Sequence, residues 1–212
     1  MVVSGGLPKI DRTPKVFYGG KQKRPDATYV RPVVSPSGEF VGQVAEGNRK
    51  DIRNAVEAAH KGAPGWGKRA AHNRAQIMYY IAENLELRLD EIAARISAMT
   101  GRDIQSGRDE VHASINRLFH WAAYADKYGG TVQETTFYGA TVKVNEPVGV
   151  IGITCPDDYP LLGFVSLFAP AVVRGNTIVV VPSEKYPLSA TDLYQGTSIL
   201  LYLLNYFLVG GT

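Results

Sequence analysis

Cysteine is almost missing from this chain: Cys155 stands alone among 212 residues. No disulfide can form within the chain, and a reducing compartment, the cytoplasm, is the expected setting. An excess of charge is missing too. Twenty-three Lys and Arg against 20 Asp and Glu leave +3, too little and too dispersed for a nucleic-acid partner. The opening MVVSGGLPKIDRTPK holds no apolar core of signal-peptide length, so secretion is not expected. The longest apolar run, residues 199–209 (ILLYLLNYFLV), falls short of the ~20 residues a membrane-spanning helix needs. No GxGxxG follows any strand, which withholds the ordinary dinucleotide fingerprint. The four histidines show no ligand spacing. His60 and His72 flank Trp66, while His112 and His120 lie two helical turns apart, so no metal site is expected.

What is present is an ordinary globular composition, 45% hydrophobic and 20% charged, enough to bury a core. Short β-type runs at 16–18, 29–34 and 40–44 are separated by Gly19-Gly20, Pro25-Asp26 and Ser37-Gly38 turn signals. The basic cluster at 21–24 reads as a solvated turn. Asn48 is a good N-cap with Asp51 three residues on, and Ile52, Ala55, Val56 and Ala59 give the following helix one buried stripe. Residues 62–67 are expected to break that helix, with Trp66 as a core anchor. Further helices are predicted over 71–87, 90–99 and 106–128, the last closing on Gly129-Gly130. They are antiparallel neighbours joined by short loops.

At residue 131 the pattern changes to period two. Runs at 131–137 and 140–144 flank Tyr138-Gly139 and predict a hairpin that protrudes, being polar on both faces. A buried strand at 148–154, an apolar helix at 160–174 and a second buried strand at 177–181 then make a right-handed βαβ unit. Ligands bind at the carboxyl ends of such strands, here 154–158 and 181–184. The fold class is therefore α/β: a partial Rossmann-like parallel sheet with N-terminal antiparallel helices and a protruding β-hairpin.

Five motifs carry a family resemblance: Pro147-Val148-Gly149-Val150, Pro156-Asp157-Asp158-Tyr159-Pro160, Ala169-Pro170-Ala171, Gly175-Asn176-Thr177 and Pro182-Ser183-Glu184. With the helical stretches GNRKDIRNAVEAAHKGAPGW and AAHNRAQIMYYIAENLELR, they resemble the aldehyde dehydrogenase superfamily. The wording is most similar to the second module of the sixteenth family. The resemblance implies a domain plan of an N-terminal arm (1–15), part of an NAD-binding domain (16–195) and a foreign apolar tail (196–212), from an alternative ending or from the gene model. It implies an oligomerisation element in the hairpin at 131–147, which would pair with full-length subunits of the family. It further implies NAD contacts from Thr154, Cys155, Pro156, Asp157, Val181, Ser183 and Glu184, with Glu184 accepting from the adenosine ribose hydroxyls.

Three positions depart from the family pattern. Asp158 stands where the family has an asparagine that donates to the oxyanion, and a carboxylate brings no N–H there. Val181 replaces a lysine that reaches the cofactor ribose, which disfavours NADP and weakens NAD. Asp157 replaces a tryptophan and is expected to turn its charge toward the cofactor. The family's nucleophilic cysteine, general-base glutamate and Gly-rich pyrophosphate loop correspond to positions beyond 212. Cys155, at a strand end with no base beside it, is expected to be a core-facing thiol. The adjacent carboxylates of Asp157 and Asp158 do not make a hydrolase pair, because loop neighbours rarely oppose each other across a substrate. The expectation is a truncated, catalytically silent relative of NAD(P)-dependent aldehyde oxidoreductases. The competing expectation is an interaction module that docks on intact subunits.

Overall fold

In the computed structural model, residues 14–196 and 207–208 are described. Strands β1 (Val16–Tyr18), β2 (Lys21–Lys23), β3 (Val30–Val34) and β4 (Phe40–Ala45) come first. Helices α1 (Arg49–Gly67), α2 (Ala71–Leu87), α3 (Leu89–Thr100) and α4 (Ile104–Tyr124) follow. The hairpin β5 (Thr131–Gln133) and β6 (Thr141–Lys143) precedes β7 (Val150–Thr154), α5 (Pro160–Val173), β8 (Thr177–Val181), α6 (Leu188–Gly196) and β9 (Phe207–Leu208). The main sheet runs β2-β1-β9-β8-β7; β7, β8 and β9 are parallel, and β1 pairs antiparallel with β9 and β2.

Alternation along β8 divides the molecule. Ile178 and Val180 face a large core made by α2, α3, α4 and α5, while Val179 turns to the opposite face, against Ala55 and Ala59 of α1. Thr177, on the α1 side, donates its hydroxyl to the Ala59 carbonyl. A strand covered by helices on both faces can be apolar throughout, as TIVVV is.

Helix α1 begins as its sequence demands. Asn48 accepts from the amides of Lys50 and Asp51, and Asp51 accepts from the Asn48 amide, a complete capping box. Its end differs from expectation. Residues 62–67 stay helical despite the N–H that Pro64 removes, because burial of Trp66 holds the last turn down. Ile52 is exposed, so the buried stripe is Ala55 and Ala59 with Val56 at its margin. Helix α2 has the predicted limits and buries Ile77, Met78, Ile81 and Leu85. Asp90 lies in the first turn of α3 rather than at its cap, and Gly101 ends that helix in the left-handed conformation. Asp103 caps α4, which stops at Tyr124, before the glycine pair.

Three further expectations are corrected. Lys21–Lys23 is an exposed edge strand rather than a turn, because its backbone pairs with Val16–Tyr18 whatever its side chains prefer. The hairpin forms in the expected place, yet only three residues pair on each arm and residues 134–140 make a long loop instead of a two-residue turn. Strand β7 is half-exposed rather than buried, since it is the edge of the sheet. Of the apolar tail, residues 207–208 join the sheet between β8 and β1; residues 197–206 and 209–212 lie outside the described residues.

Candidate functional site

Helix α5 positions the site, and its two ends are unusual. Its N-cap, Tyr159, sits in the left-handed region at φ 49° and offers no side-chain cap. The free amides of the first turn go instead to Glu110 of α4. Its Oε1 accepts from the Leu161 and Leu162 amides at 2.8 and 3.3 Å, and its Oε2 accepts from Arg102 Nη2 at 2.7 Å. The Glu110 side chain has no solvent exposure. Arg102 also lies over the Tyr159 ring, 4.9 Å from its centroid, so one guanidinium fixes both the carboxylate and the residue that opens the helix. At the other end, Trp66 Nε1 and Arg74 Nε donate to the Val172 and Val173 carbonyls, each at 2.9 Å. Two orphan amides and two orphan carbonyls are thus satisfied by side chains from α1, α2 and α4, and Asn176 Nδ2 donates to the Ala171 carbonyl.

This arrangement has a chemical consequence. In an ordinary dinucleotide fold, the helix after the first strand offers its amides to the pyrophosphate. Here the protein's own carboxylate already occupies them. The Leu161 and Leu162 amides, which such a helix start would offer to a phosphate, are engaged by Glu110.

The loop from β7 lies close on that helix. A Cβ on Gly163 would stand 2.8 Å from Pro156 Cγ, so only glycine lets the loop approach. Thr154, Pro156 and Asp158 are exposed along it. Cys155 is buried, its amide donates to the Val181 carbonyl, and burial pushes its thiol up to about 12. A thiol so placed is almost entirely protonated at neutral pH and a poor nucleophile, as its sequence context suggested.

Asp157 does not face open space. Its Oδ1 accepts from the Ser183 hydroxyl at 2.7 Å and from the Lys185 amide at 3.4 Å, and its Oδ2 lies 3.8 Å from Lys185 Nζ. The Ser183 hydrogen bond above all, with Lys185, holds the carboxyl below the usual range. Ser183 in turn accepts from the Tyr186 amide. The two strand ends are therefore tied together. Glu184, between the two tied residues, is exposed, while its carbonyl accepts from Arg31 Nη2 at 2.7 Å. Val181 is half-buried and brings no polar group to the edge. The structure thus gathers Thr154, Cys155, Pro156, Asp157, Asp158, Val181, Ser183 and Glu184 at the carboxyl ends of β7 and β8. Glu110 and Arg102 were not anticipated, and nothing in local spacing links α4 to a loop some fifty residues on.

Comparison with known proteins gives a consistent result. The model of the aldehyde dehydrogenase family matches residues 23–197. An aldehyde dehydrogenase of Agaricus bisporus is 35% identical over 162 residues, 74% of this chain and 32% of that protein. Betaine aldehyde dehydrogenase of Bacillus subtilis is 30% identical over 184 residues, 85% of this chain and 38% of its own length. Among solved structures, betaine aldehyde dehydrogenase of Staphylococcus aureus in complex with NAD+ superposes with a TM-score of 0.90 at 24% identity, covering 94% of this chain and 41% of that one. The chain spans about a third of the length of these curated relatives.

Proposed function

The chain belongs to the aldehyde dehydrogenase family, and from that premise we propose that it keeps a place for the adenosine half of NAD without oxidising aldehydes itself. The observation that carries this reading is Glu184: an exposed carboxylate at the carboxyl end of β8, on a turn held by Asp157 and Arg31. A carboxylate there suits the two hydroxyls of a ribose, each of which donates a hydrogen bond. The residues fit that half of the cofactor. They offer the pyrophosphate nothing at α5, where Glu110 holds the amides.

NAD, when bound, supplies the hydride acceptor of the family's reaction, the oxidation of aldehydes to carboxylic acids. What this chain lacks is a donor for the oxyanion. Asp158 occupies the loop position where the family resemblance implies an asparagine, and it is exposed. Loss of one such donor raises a barrier by ~3–4 kcal/mol. The half-exposed β7, at the sheet edge, adds no reactive group, and Cys155 stays a buried thiol in the reducing cytoplasm we assign to the protein. The test is calorimetric titration of the folded chain with NAD, beside a spectrophotometric assay with a short aliphatic aldehyde. Saturable binding lost in Glu184→Ala, with no NADH formed, is expected. Aldehyde-dependent NADH from the chain alone sinks the non-catalytic part, and absence of binding sinks the rest.

A second reading is favoured by the hairpin. Val132, Phe137, Tyr138, Val142 and Val144 are all exposed on it, with Tyr138 fully in solvent. Such a ribbon can add to the sheet of an intact family subunit. Co-purification with that subunit, lost on placing prolines at Val142 and Val144, supports this reading; co-purification that survives the prolines removes it.

A further inference from the structure

We propose that Asp157 is a specificity-determining residue, which selects NAD over its 2′-phosphorylated form by holding Lys185. The inference rests on the dinucleotide reading of this strand end. It starts from a question that reading leaves open: where the turn after β8 keeps its positive charge. Val181 supplies none. Lys185 follows Glu184 directly, so a lysine stem can carry its ammonium beside whatever the Glu184 carboxylate binds.

The structure ties that lysine elsewhere. Asp157 Oδ2 is 3.8 Å from Lys185 Nζ, and Oδ1 takes the amide of the same residue. Ser183 completes the tie by donating to Oδ1 and accepting from the Tyr186 amide. Arg31, the other cation at this turn, has one nitrogen on the Glu184 carbonyl. Seen from a ligand at Glu184, Asp157 acts in two ways. It engages the Lys185 ammonium, and it adds a negative charge of its own. Both effects oppose a 2′-phosphate, and neither opposes a ribose diol that donates to Glu184.

The pair is open to water, with side-chain exposures of 70% for Lys185 and 37% for Asp157, so the effect is modest. Asp157→Asn is the informative change. The asparagine keeps an oxygen for Ser183 and the Lys185 amide, preserving the turn, while the charge is lost. The full chain, the variant, Lys185→Ala and the double variant are each titrated with NAD and with NADP, circular dichroism confirming the fold. In Asp157→Asn the NADP:NAD affinity ratio rises about fivefold, the scale of one exposed ion pair. The double variant loses that gain, and Lys185→Ala alone, which leaves the Asp157 carboxylate unpaired, lowers the ratio below wild type. An unchanged ratio in Asp157→Asn, with NAD still bound, overturns the inference alone, as does a gain that survives removal of Lys185. Binding of neither dinucleotide by any of the four overturns it together with the dinucleotide reading.

Discussion

Helix α5 and the β5–β6 hairpin are close in sequence and opposite in construction. Nearly every side chain on the inner face of α5 is buried, and both of its ends are closed by side chains from other helices. The hairpin has three paired residues on each arm and no buried residue between 126 and 148. One region is held largely by distant partners, and the other by its own ladder and a few local side-chain hydrogen bonds. The contrast separates what the fold needs from what it presents. Substitution at the first should cost stability, and substitution at the second should change only what docks there.

Three measurements would break or sharpen this contrast. The largest effect is expected from Glu110→Ala, which strands two helix amides at a buried helix start and leaves the half-buried Arg102 without its carboxylate. About 3–5 kcal/mol should be lost in urea denaturation, with Glu110→Gln recovering part of it by keeping an acceptor. A loss below about 1 kcal/mol would mean that water reaches the start of α5 and that the buried cap is not needed. Trp66→Phe comes next. It retains most of the apolar volume and removes the donor to Val172, for an expected loss of about 1–2 kcal/mol in the same experiment. Val142→Thr on the hairpin should stay within about 0.5 kcal/mol of wild type. A larger change there would show that the ribbon is bound to something in solution.

How far the sequence reveals this architecture depends on the range of the cause. The Asn48 capping box, the limits of α2 and the βαβ unit at 150–181 are legible because their determinants lie within a few residues of each other. Residues 62–67 mislead because glycine and proline are local signals, while the helix is kept by Trp66 reaching a carbonyl 106 positions away. Lys21–Lys23 hides its strand for a similar reason: pairing is a property of the neighbour. At the candidate site, the strand ends and Glu184 can be read from sequence. The direction of Asp157 cannot, because its expected neighbour was a ligand and its observed neighbours are Ser183 and Lys185. Glu110 was silent for the strongest reason, since a glutamate in a helix is ordinarily a surface residue.

The closure of α5 by Trp66 and Arg74 also sets a timetable for a chain made from one end. Trp66 leaves the ribosome long before its acceptor, 106 residues behind it, has been synthesised. At 5–20 residues per second the delay is on the order of 5–20 s. Throughout it, the first two helices exist without the element that seals them, and an indole destined for the interior stands in water. The nascent chain therefore keeps an interior indole exposed until Val172 emerges, and a pause in translation before that codon would lengthen the exposure.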